Sequence, residues 1–225
     1  MSQNAPADPQ IAPDQGGGKR QLLREKNRLT LLEATLDSIA EQGIAETSVS
    51  EIIARAGLSR GMIHLHFGGK ENLVEAAAEL SNQRYYEQLE RHLAASGDRP
   101  QDKIVAIVRS DLSEEVLNTR NVSVWYAFRG EARKRAVIAG LSDTRDTRMG
   151  GLAKRSFVAI ARAEGHTHPR AVARDASNGT LAILEGMWTD YLLHPDRFNR
   201  GDAARIVFRF LAAMFPAHFN LSGAR

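Results

Sequence analysis

The chain has 225 residues, a formal net charge of +3 and no cysteine. The lack of cysteine excludes disulfide bonds, a thiolate nucleophile and a zinc site with cysteine ligands. No apolar run approaches the roughly 20 residues that a membrane-spanning helix needs, and the N-terminal stretch is not that of a secretory signal peptide. The composition therefore predicts a cytoplasmic protein with no membrane partner.

The first residues differ in composition from the rest of the chain. Residues 1–18 are rich in Pro, Gln, Asp and Gly, which is typical of a disordered tail. Basic residues then cluster around the start of the first predicted helix, with only Glu25 among them: Lys19, Arg20, Arg24, Lys26 and Arg28. Two interpretations stay open, an arm that contacts the DNA backbone or minor groove and a solvated helix start.

An amphipathic helix follows the basic cluster. Its apolar stripe recurs at helical spacing and ends at Gly43: Leu29, Leu32, Leu36, Ile39 and Ala40. This helix supplies a wall for the two short helices behind it, which cannot bury their own apolar faces. We therefore predict a compact three-helix unit over about residues 22–67.

The two short helices have the features of a helix-turn-helix. Ser48 and Glu51 have the spacing of a capping box. An apolar stripe follows at i, i+3, i+4 and i+7: Val49, Ile52, Ile53 and Ala56. Gly57 is suited to the left-handed conformation that ends a helix. Gly68 and Gly69 then limit the second short helix to about two turns.

That second short helix is predicted to enter the major groove of DNA. Ser59 suits its N-cap, and Ile63 and Phe67 face the core. Arg can reach guanine edges or phosphates, and apolar side chains can meet thymine methyl groups. The predicted DNA-binding residues are Thr47, Ser48, Ser59, Arg60, Gly61, Met62, His64, Leu65, His66 and Lys70. The structural alternative is an ordinary helical hairpin within a larger bundle.

Residues 22–75 resemble the TetR family of bacterial regulators. The resemblance is carried by Ile52-Ile53-Ala54, Ala56-Gly57-Leu58-Ser59, His64-Leu65-His66-Phe67 and Lys70-Glu71-x-Leu73. Relatives often have a phosphate-binding Tyr where His64 stands, and His64 would bind phosphate with a strength that varies near neutral pH. Lys70 matches the phosphate-contacting lysine of the family and opens a helix whose positive end adds to the attraction.

The remainder of the chain reads as helices, with no hairpin turns or sustained period-2 runs. The predicted helices run from residue 70 to 93, 104 to 116, 121 to 131, 135 to 164, 170 to 193 and 202 to 215. Gly140 and Gly150-Gly151 lower the helix propensity of the fourth of these and could kink it. Together with the resemblance, this predicts an all-α fold. Residues 19–69 would form the helix-turn-helix domain and residues 70–225 a larger helical domain for ligand binding and dimerisation.

Two segments of that larger region are similar to the BetI-like branch of the family. They are Trp125-Tyr126-Ala127-Phe128-x-x-Glu131-Ala132-Arg133 and Leu184-Glu185-Gly186-Met187-Trp188. Relatives often read Trp-x-Ala-Phe-Trp-x-Glu-Ala and Asp-Gly-Leu-Trp in these places. Arg129 and Gly130 replace the usual Trp-Ala pair in this chain.

Aromatic residues outline a candidate ligand pocket. Asp111 flanks an apolar helix face, and a carboxylate near aromatic rings suits a cationic or quaternary ammonium ligand. The candidate ligand-binding residues are Asp111, Trp125, Tyr126, Phe128, Trp188 and Tyr191. Ordinary core packing of these rings is the alternative. No cofactor is expected, and no metal, because His64 and His66 stand two apart and fall on different helix faces.

The two last long helices carry broad apolar faces that predict a homodimer, as the resemblance also implies. One short recognition helix offers few contacts, whereas two related by a two-fold axis read a palindrome. Packing of these faces within one subunit is the alternative.

The function predicted from the sequence is a transcriptional repressor that a small-molecule effector of unknown identity releases from its operator. An activator or architectural DNA-binding protein without a ligand is the alternative. Catalysis is not expected, because phosphate-loop, nucleophile-elbow and His-Glu-x-x-His motifs are absent.

Overall fold

A computed structural model describes residues 15–220, with side chains over 18–141 and 147–220. Its helices are α1 (Gln15–Glu46), α2 (Val49–Ala56), α3 (Arg60–Phe67), α4 (Lys70–Ala94), α5 (Pro100–Asp111), α6 (Thr119–Glu131), α7 (Ala136–Thr144), α8 (Gly150–Ala163), α9 (Pro169–Leu193) and α10 (Arg200–Met214). A π-helix, Arg145–Met149, joins α7 to α8. Over the residues described there is no strand, and the predicted all-α fold is confirmed. None of the described helices is long and apolar enough to cross a membrane.

The N-terminal helix begins earlier than the sequence pattern indicated. Residues 1–14 of the predicted tail lie outside the described residues, and residues 15–18 form the first turn of α1. Leu31 and Leu32 are buried, whereas Leu29 is 46% exposed and lies at the edge of the predicted stripe. Gly43 interrupts the helix with φ of 83°, a conformation that glycine adopts without a Cβ penalty.

The helix-turn-helix has most of its predicted end signals. The Ser48 side chain accepts a hydrogen bond from the Glu51 backbone N–H at 3.2 Å. The Glu51 carboxylate contacts Gln42 and Arg55, so only one half of the capping box is formed as predicted. Ser59 occupies the N-cap of α3 without a side-chain cap hydrogen bond.

Two clusters of buried apolar side chains hold the helices together. The N-terminal cluster packs α1, α2 and α3 against α4 and also takes Val124 and Phe128 from α6 and Ile138 from α7. The C-terminal cluster combines α4, α5, α6 and the chain from Met149 to Phe219. Helix α4 belongs to both clusters, so the predicted boundary at residue 70 does not separate two independent cores.

The predicted long helix over residues 135–164 is interrupted in the structure, as its glycines allowed. The chain instead forms α7, the π-helix and α8. Gly140, Gly150 and Gly151 lower the helix propensity of this stretch. The π-helix ends at the buried Met149, whose sulfur lies 2.9 Å from the Tyr85 hydroxyl oxygen.

Candidate DNA-binding surface and effector cavity

Helix α3 presents a mixed polar and apolar surface. Arg60, Gly61, His64 and Leu65 are exposed, and Leu65 remains 63% accessible. Met62 is half-buried and packs against the N-terminal cluster, which corrects its assignment to the outward face. An exposed Leu beside Arg and His suits contact with a base-pair edge and a thymine methyl group. The surface that α3 offers to DNA is therefore narrower than predicted, with Arg60, His64 and Leu65 as its side chains.

The predicted role of Thr47 needs a similar correction. Thr47 has no exposed surface, and its hydroxyl donates to the Gly43 carbonyl at 2.8 Å. Ser38 donates to the same hydroxyl oxygen at 3.1 Å. These bonds satisfy polar groups at the kink of α1, where an unpaired buried group would be costly. The Thr47 side chain therefore belongs to the fold and not to the DNA surface.

Three helix N-termini carry the polar residues that flank α3. Ser48 is exposed at the start of α2 and Ser59 at the start of α3. Lys70 is half-buried as the first residue of α4. Helix N-termini attract anions through their free N–H groups and positive dipole ends. This arrangement suits contacts to the phosphates on either side of a groove.

His64 is held by the end of its own helix. Its Nδ1 lies 3.3 Å from the carbonyl oxygen of Gly68. When Nδ1–H donates to that oxygen, Nε2 of the neutral ring is an acceptor only. The hydrogen bond therefore orients the exposed ring at the C-terminal end of α3.

His66 differs from His64, because it packs under the basic part of α1. Its Nε2 atom is buried and has no hydrogen-bond partner among the described residues. Burial, followed by the charges of Arg24 and Arg28, lowers the pKa of His66 below its ordinary value, and Glu25 acts in the opposite direction. The assignment of His66 to direct DNA contact is therefore corrected to a packing role behind α3.

We expect the neutral His66 ring to make folding stability depend on pH. The folded chain binds fewer protons than the unfolded chain at pH values between the lowered pKa and 6.5. The stability contributed by the neutral ring is therefore complete above 6.5 and is lost as the pH falls towards the folded-state value. In urea unfolding, the free-energy difference between wild type and His66→Gln should shrink from about pH 7.5 to about pH 5.5. A difference independent of pH would contradict this assignment.

The basic cluster at the start of α1 lies next to α3. Lys19, Arg20, Arg24, Lys26 and Arg28 are all exposed. The Arg28 guanidinium lies 5.3 Å from the centre of the Phe67 ring, a cation–π distance. The C-terminal end of the cluster therefore lies beside the recognition helix, and its exposed charges are compatible with an arm on the DNA backbone and with a solvated helix start.

A cavity of about 450 Å³ lies in the helical body behind the DNA-binding unit. Its wall includes Leu36 of α1, one side of α4, the start and middle of α6, and Trp188 of α9. Of the predicted ligand-binding residues, Trp125, Phe128 and Trp188 line it. The volume is in the range of sites that hold a small organic ligand.

Three aromatic rings line one part of this cavity, and a carboxylate lies behind them. The Trp188 ring meets Trp125 edge to face at 5.9 Å and Tyr85 at 6.3 Å. The Tyr85 hydroxyl donates to Asp111 Oδ1 at 2.8 Å, and Trp188 Nε1–H donates to the Asp111 backbone oxygen at 3.3 Å. Asp111 is 1% exposed and lies behind the rings. Asp111 therefore fixes Tyr85 without lining the cavity itself.

Tyr126 and Tyr191 lie outside the cavity wall, which corrects their assignment as ligand-binding residues. The Tyr126 hydroxyl lies 2.7 Å from the Thr189 hydroxyl and 3.3 Å from a Glu185 carboxylate oxygen, so it ties α6 to α9. Tyr191 packs against Phe198 at 5.3 Å. Both rings support the helices that carry Trp125 and Trp188.

Several cavity residues were not predicted from the sequence. Tyr85 is an aromatic residue on the predicted α4 stripe, so it could have been included among the predicted ligand-binding residues. No local sequence pattern marks Arg84 and Arg120 as cavity residues, because their partners lie on α1, far away in the sequence. Among the described residues no group of three acidic, His or Cys side chains could hold a metal ion.

This architecture defines a DNA-binding regulator, since an exposed recognition helix is carried on a helical body. Residues 31–77 match the family model of bacterial regulatory proteins of the tetR family. Residues 100–216 match the model of the C-terminal domain of BetI-type transcriptional repressors. The chain belongs to the TetR family and has a BetI-type C-terminal domain. It is a DNA-binding transcriptional regulator of a non-enzymatic family, and the predicted family is confirmed.

Individual relatives agree with this assignment. The regulator BetI of Stenotrophomonas maltophilia is 29% identical over 184 residues, which cover 82% of this chain and 90% of that protein. A solved structure of a transcriptional regulator from Pseudomonas aeruginosa is 25% identical, covers 86% of this chain and 92% of its own, and has a TM-score of 0.70. A regulator from Saccharomonospora viridis, solved in complex with choline, is 17% identical with a TM-score of 0.71 and covers 83% of this chain and 96% of its own.

Proposed function

We propose that the chain is a cytoplasmic repressor that binds a palindromic operator as a homodimer and is released by a small cationic effector. The observation that carries the proposal is the aromatic part of the cavity, in which Tyr85, Trp125 and Trp188 meet at near right angles in front of Asp111. No such cluster is needed for binding to DNA, so it points to a ligand.

The chemistry of this cluster favours a quaternary ammonium group. A cation within about 6 Å of an aromatic ring centre is attracted by the ring quadrupole, most strongly by Trp. Such a group has no N–H to donate, so rings suit it better than hydrogen-bond acceptors do. The buried Asp111 carboxylate supplies charge from behind Tyr85. Choline bound by the Saccharomonospora viridis protein carries a group of this kind.

The homodimer is proposed through one face of α9 and α10. The exposed side of α9 carries small residues, among them Ala182 and Gly186, and α10 adds Ile206, which is 46% exposed. Small residues let helices of two subunits approach closely, and an exposed Ile gains by being covered. Two subunits would then place two copies of α3 on one operator.

Selection of bound duplexes from a random DNA pool tests the DNA-binding part of the proposal. We expect enrichment of a palindrome whose half-sites are about one helical turn apart. Choline is then titrated against the recovered duplex and against the free protein. The chain has two Trp residues, and both line the cavity, so intrinsic fluorescence reports on this site alone. Choline should change the fluorescence and release the duplex over the same concentration range.

The second candidate is an activator or architectural protein without a small-molecule ligand. The cavity of about 450 Å³ favours gating by a ligand over this candidate, because a protein without an effector gains nothing from a volume of this size among its helices. A recovered palindrome with no response to choline or other quaternary ammonium compounds would favour the second candidate.

Replacing Trp125 is expected to weaken the effector site specifically. Trp125 is half-buried, so Trp125→Leu costs the fold less than a change at the buried Trp188. Loss of one cation–π contact of about 0.5–2 kcal/mol should lower choline affinity by roughly 3- to 30-fold. Trp188 fluorescence measures this affinity, and operator affinity in the absence of choline should stay unchanged. Equal choline affinity in both proteins would remove Trp125 from the site.

A further inference from the structure

One carboxylate of the DNA-binding unit is shared by two arginines of the cavity wall. The Glu33 carboxylate on α1 pairs with Arg84 of α4, whose Nη1 lies 3.1 Å from Oε2. Arg120 of α6 places Nη2 2.8 Å from the same Oε2. Arg120 also donates from Nε to Asp37, one turn further along α1, at 2.6 Å. Glu33, Asp37, Arg84 and Arg120 form the network that we call the ionic lock.

The lock connects two arginines of the cavity wall to two carboxylates of α1. Arg84 and Arg120 line the cavity, whereas Glu33 and Asp37 do not. Hydrogen bonds from Arg84 lower the pKa of Glu33 despite its partial burial, and Arg120 adds to this effect, so the carboxylate stays charged at neutral pH. Single exposed ion pairs contribute little, but several charges that share partners act as a network.

The geometry of the lock depends on the spacing of α4 and α6. Both guanidinium groups must reach one carboxylate, and such charge-assisted bonds require good alignment. Arg84 is next to Tyr85 on α4, and Arg120 is less than two turns from Trp125 on α6. A ligand held by Tyr85 and Trp125 therefore acts on the same two helices whose spacing the lock requires.

Helix α1 transmits this spacing to the DNA surface. It packs against α2, α3, α4 and α6. Its Arg28 lies over Phe67 of α3, and its first turns carry the basic cluster. If α1 changed its position relative to α4 and α6, the basic cluster and α3 would therefore move with it.

We propose that Arg84 and Arg120, by holding Glu33 and Asp37, keep α1 in the arrangement that binds DNA, and that an effector in the cavity opens this lock. The inference rests on the proposed function, because it assigns a mechanism to effector release. Binding energy at the aromatic cluster is converted into a change at the DNA surface, because effector and lock require different spacings of α4 and α6.

Glu33→Gln tests the lock without altering the cavity wall. The amide keeps the shape of the side chain and removes its charge, and Glu33 is half-exposed, so the fold should tolerate it. If the lock favours the DNA-binding arrangement, its loss lowers operator affinity and raises choline affinity, each by about 3- to 10-fold. If the role of Glu33 were merely structural, the substitution would weaken both the operator affinity and the choline affinity, or neither of them. The opposite signs of the two shifts identify the lock.

Glu90→Gln is the matched control. Glu90 is likewise a carboxylate in an ion pair, with Arg148, but it is exposed on α4, lies outside the cavity wall and is not part of the lock. Both affinities should equal those of wild type in this variant. Arg120→Gln combined with Glu33→Gln completes a cycle in which the double variant should lose less operator affinity than the sum of the two single losses, since Arg120 also holds Asp37.

The outcomes separate this inference from the proposed function. Suppose that choline does not release the wild-type protein, but that Glu33→Gln and Arg120→Gln each weaken operator binding and together cost less than the sum of the two single losses. The effector class is then wrong and the lock is supported. If wild type is released by choline and Glu33→Gln changes neither affinity, or shifts both in the same direction, the proposed function stands and the lock is overturned.

Discussion

Gly61→Leu is expected to lower operator affinity at least about 100-fold, or about 2.7 kcal/mol, while the fold is retained. A Cβ at position 61 would lie 3.8 Å from the Ser59 hydroxyl and otherwise meets open space, and the backbone there needs no positive φ. Leu also has a higher helix propensity than Gly, by about 0.6–1 kcal/mol. The substitution therefore costs the isolated chain nothing, and any lost affinity reports a clash with the duplex.

Gly130→Leu is the control for this experiment. Gly130 is also an exposed helical glycine with open space around its Cβ position, but it lies on α6, away from α3. It should keep wild-type operator affinity in a fluorescence anisotropy titration, and both variants should unfold at or above the wild-type temperature. Unaltered operator binding by Gly61→Leu would mean that α3 does not enter the groove with this face.

Local signals made the helix-turn-helix predictable from sequence. Ser48, Gly57 and Gly68 act on the backbone within a few residues of themselves, and each has the predicted effect on a helix end. The apolar stripe of α2 predicted the burial of Ile52 for the same reason. Hydrogen bonds between neighbours in sequence are readable without knowledge of the tertiary fold.

Features set by distant parts of the chain were not predictable. Helix α5 ends at Asp111 and not near residue 116, since Arg200 of α10 donates to the carbonyl oxygens of Leu112 at 3.0 Å and Leu117 at 2.6 Å. Thr47 was predicted to bind DNA, but at the kink of Gly43 its hydroxyl is buried and donates to the Gly43 carbonyl. In both places a partner from elsewhere in the fold decides where the polar group goes.

The cavity shows the same limit. The sequence identified Trp125 and Trp188, because large aromatic residues stand out in a helical pattern. It did not distinguish them from Tyr126 and Tyr191, because the direction of each ring depends on how α6 and α9 pack. Fold class and recognition helix follow from periodicity, whereas the composition of a cavity between helices requires the packed structure.

The second large effect is expected at the proposed dimer face. Gly186→Arg should convert the protein to monomers and lower operator affinity more than about 1000-fold, because a single recognition helix makes too few contacts. A Cβ at Gly186 meets no atom within 4 Å in the subunit, so an Arg side chain is accommodated by the monomer. In the proposed dimer it would force a long charged side chain of each subunit into the helix–helix interface, where its burial is costly.

Light scattering after size-exclusion chromatography measures the mass, and circular dichroism checks that the helical content is retained. Gly130→Arg adds the same charge at an open position outside the face, and should remain dimeric with operator affinity close to that of wild type. Since dimerisation stabilises the folded state, Gly186→Arg should also unfold at a temperature that no longer rises with protein concentration. A dimeric Gly186→Arg that still binds the operator would place the dimer interface on another surface of the chain.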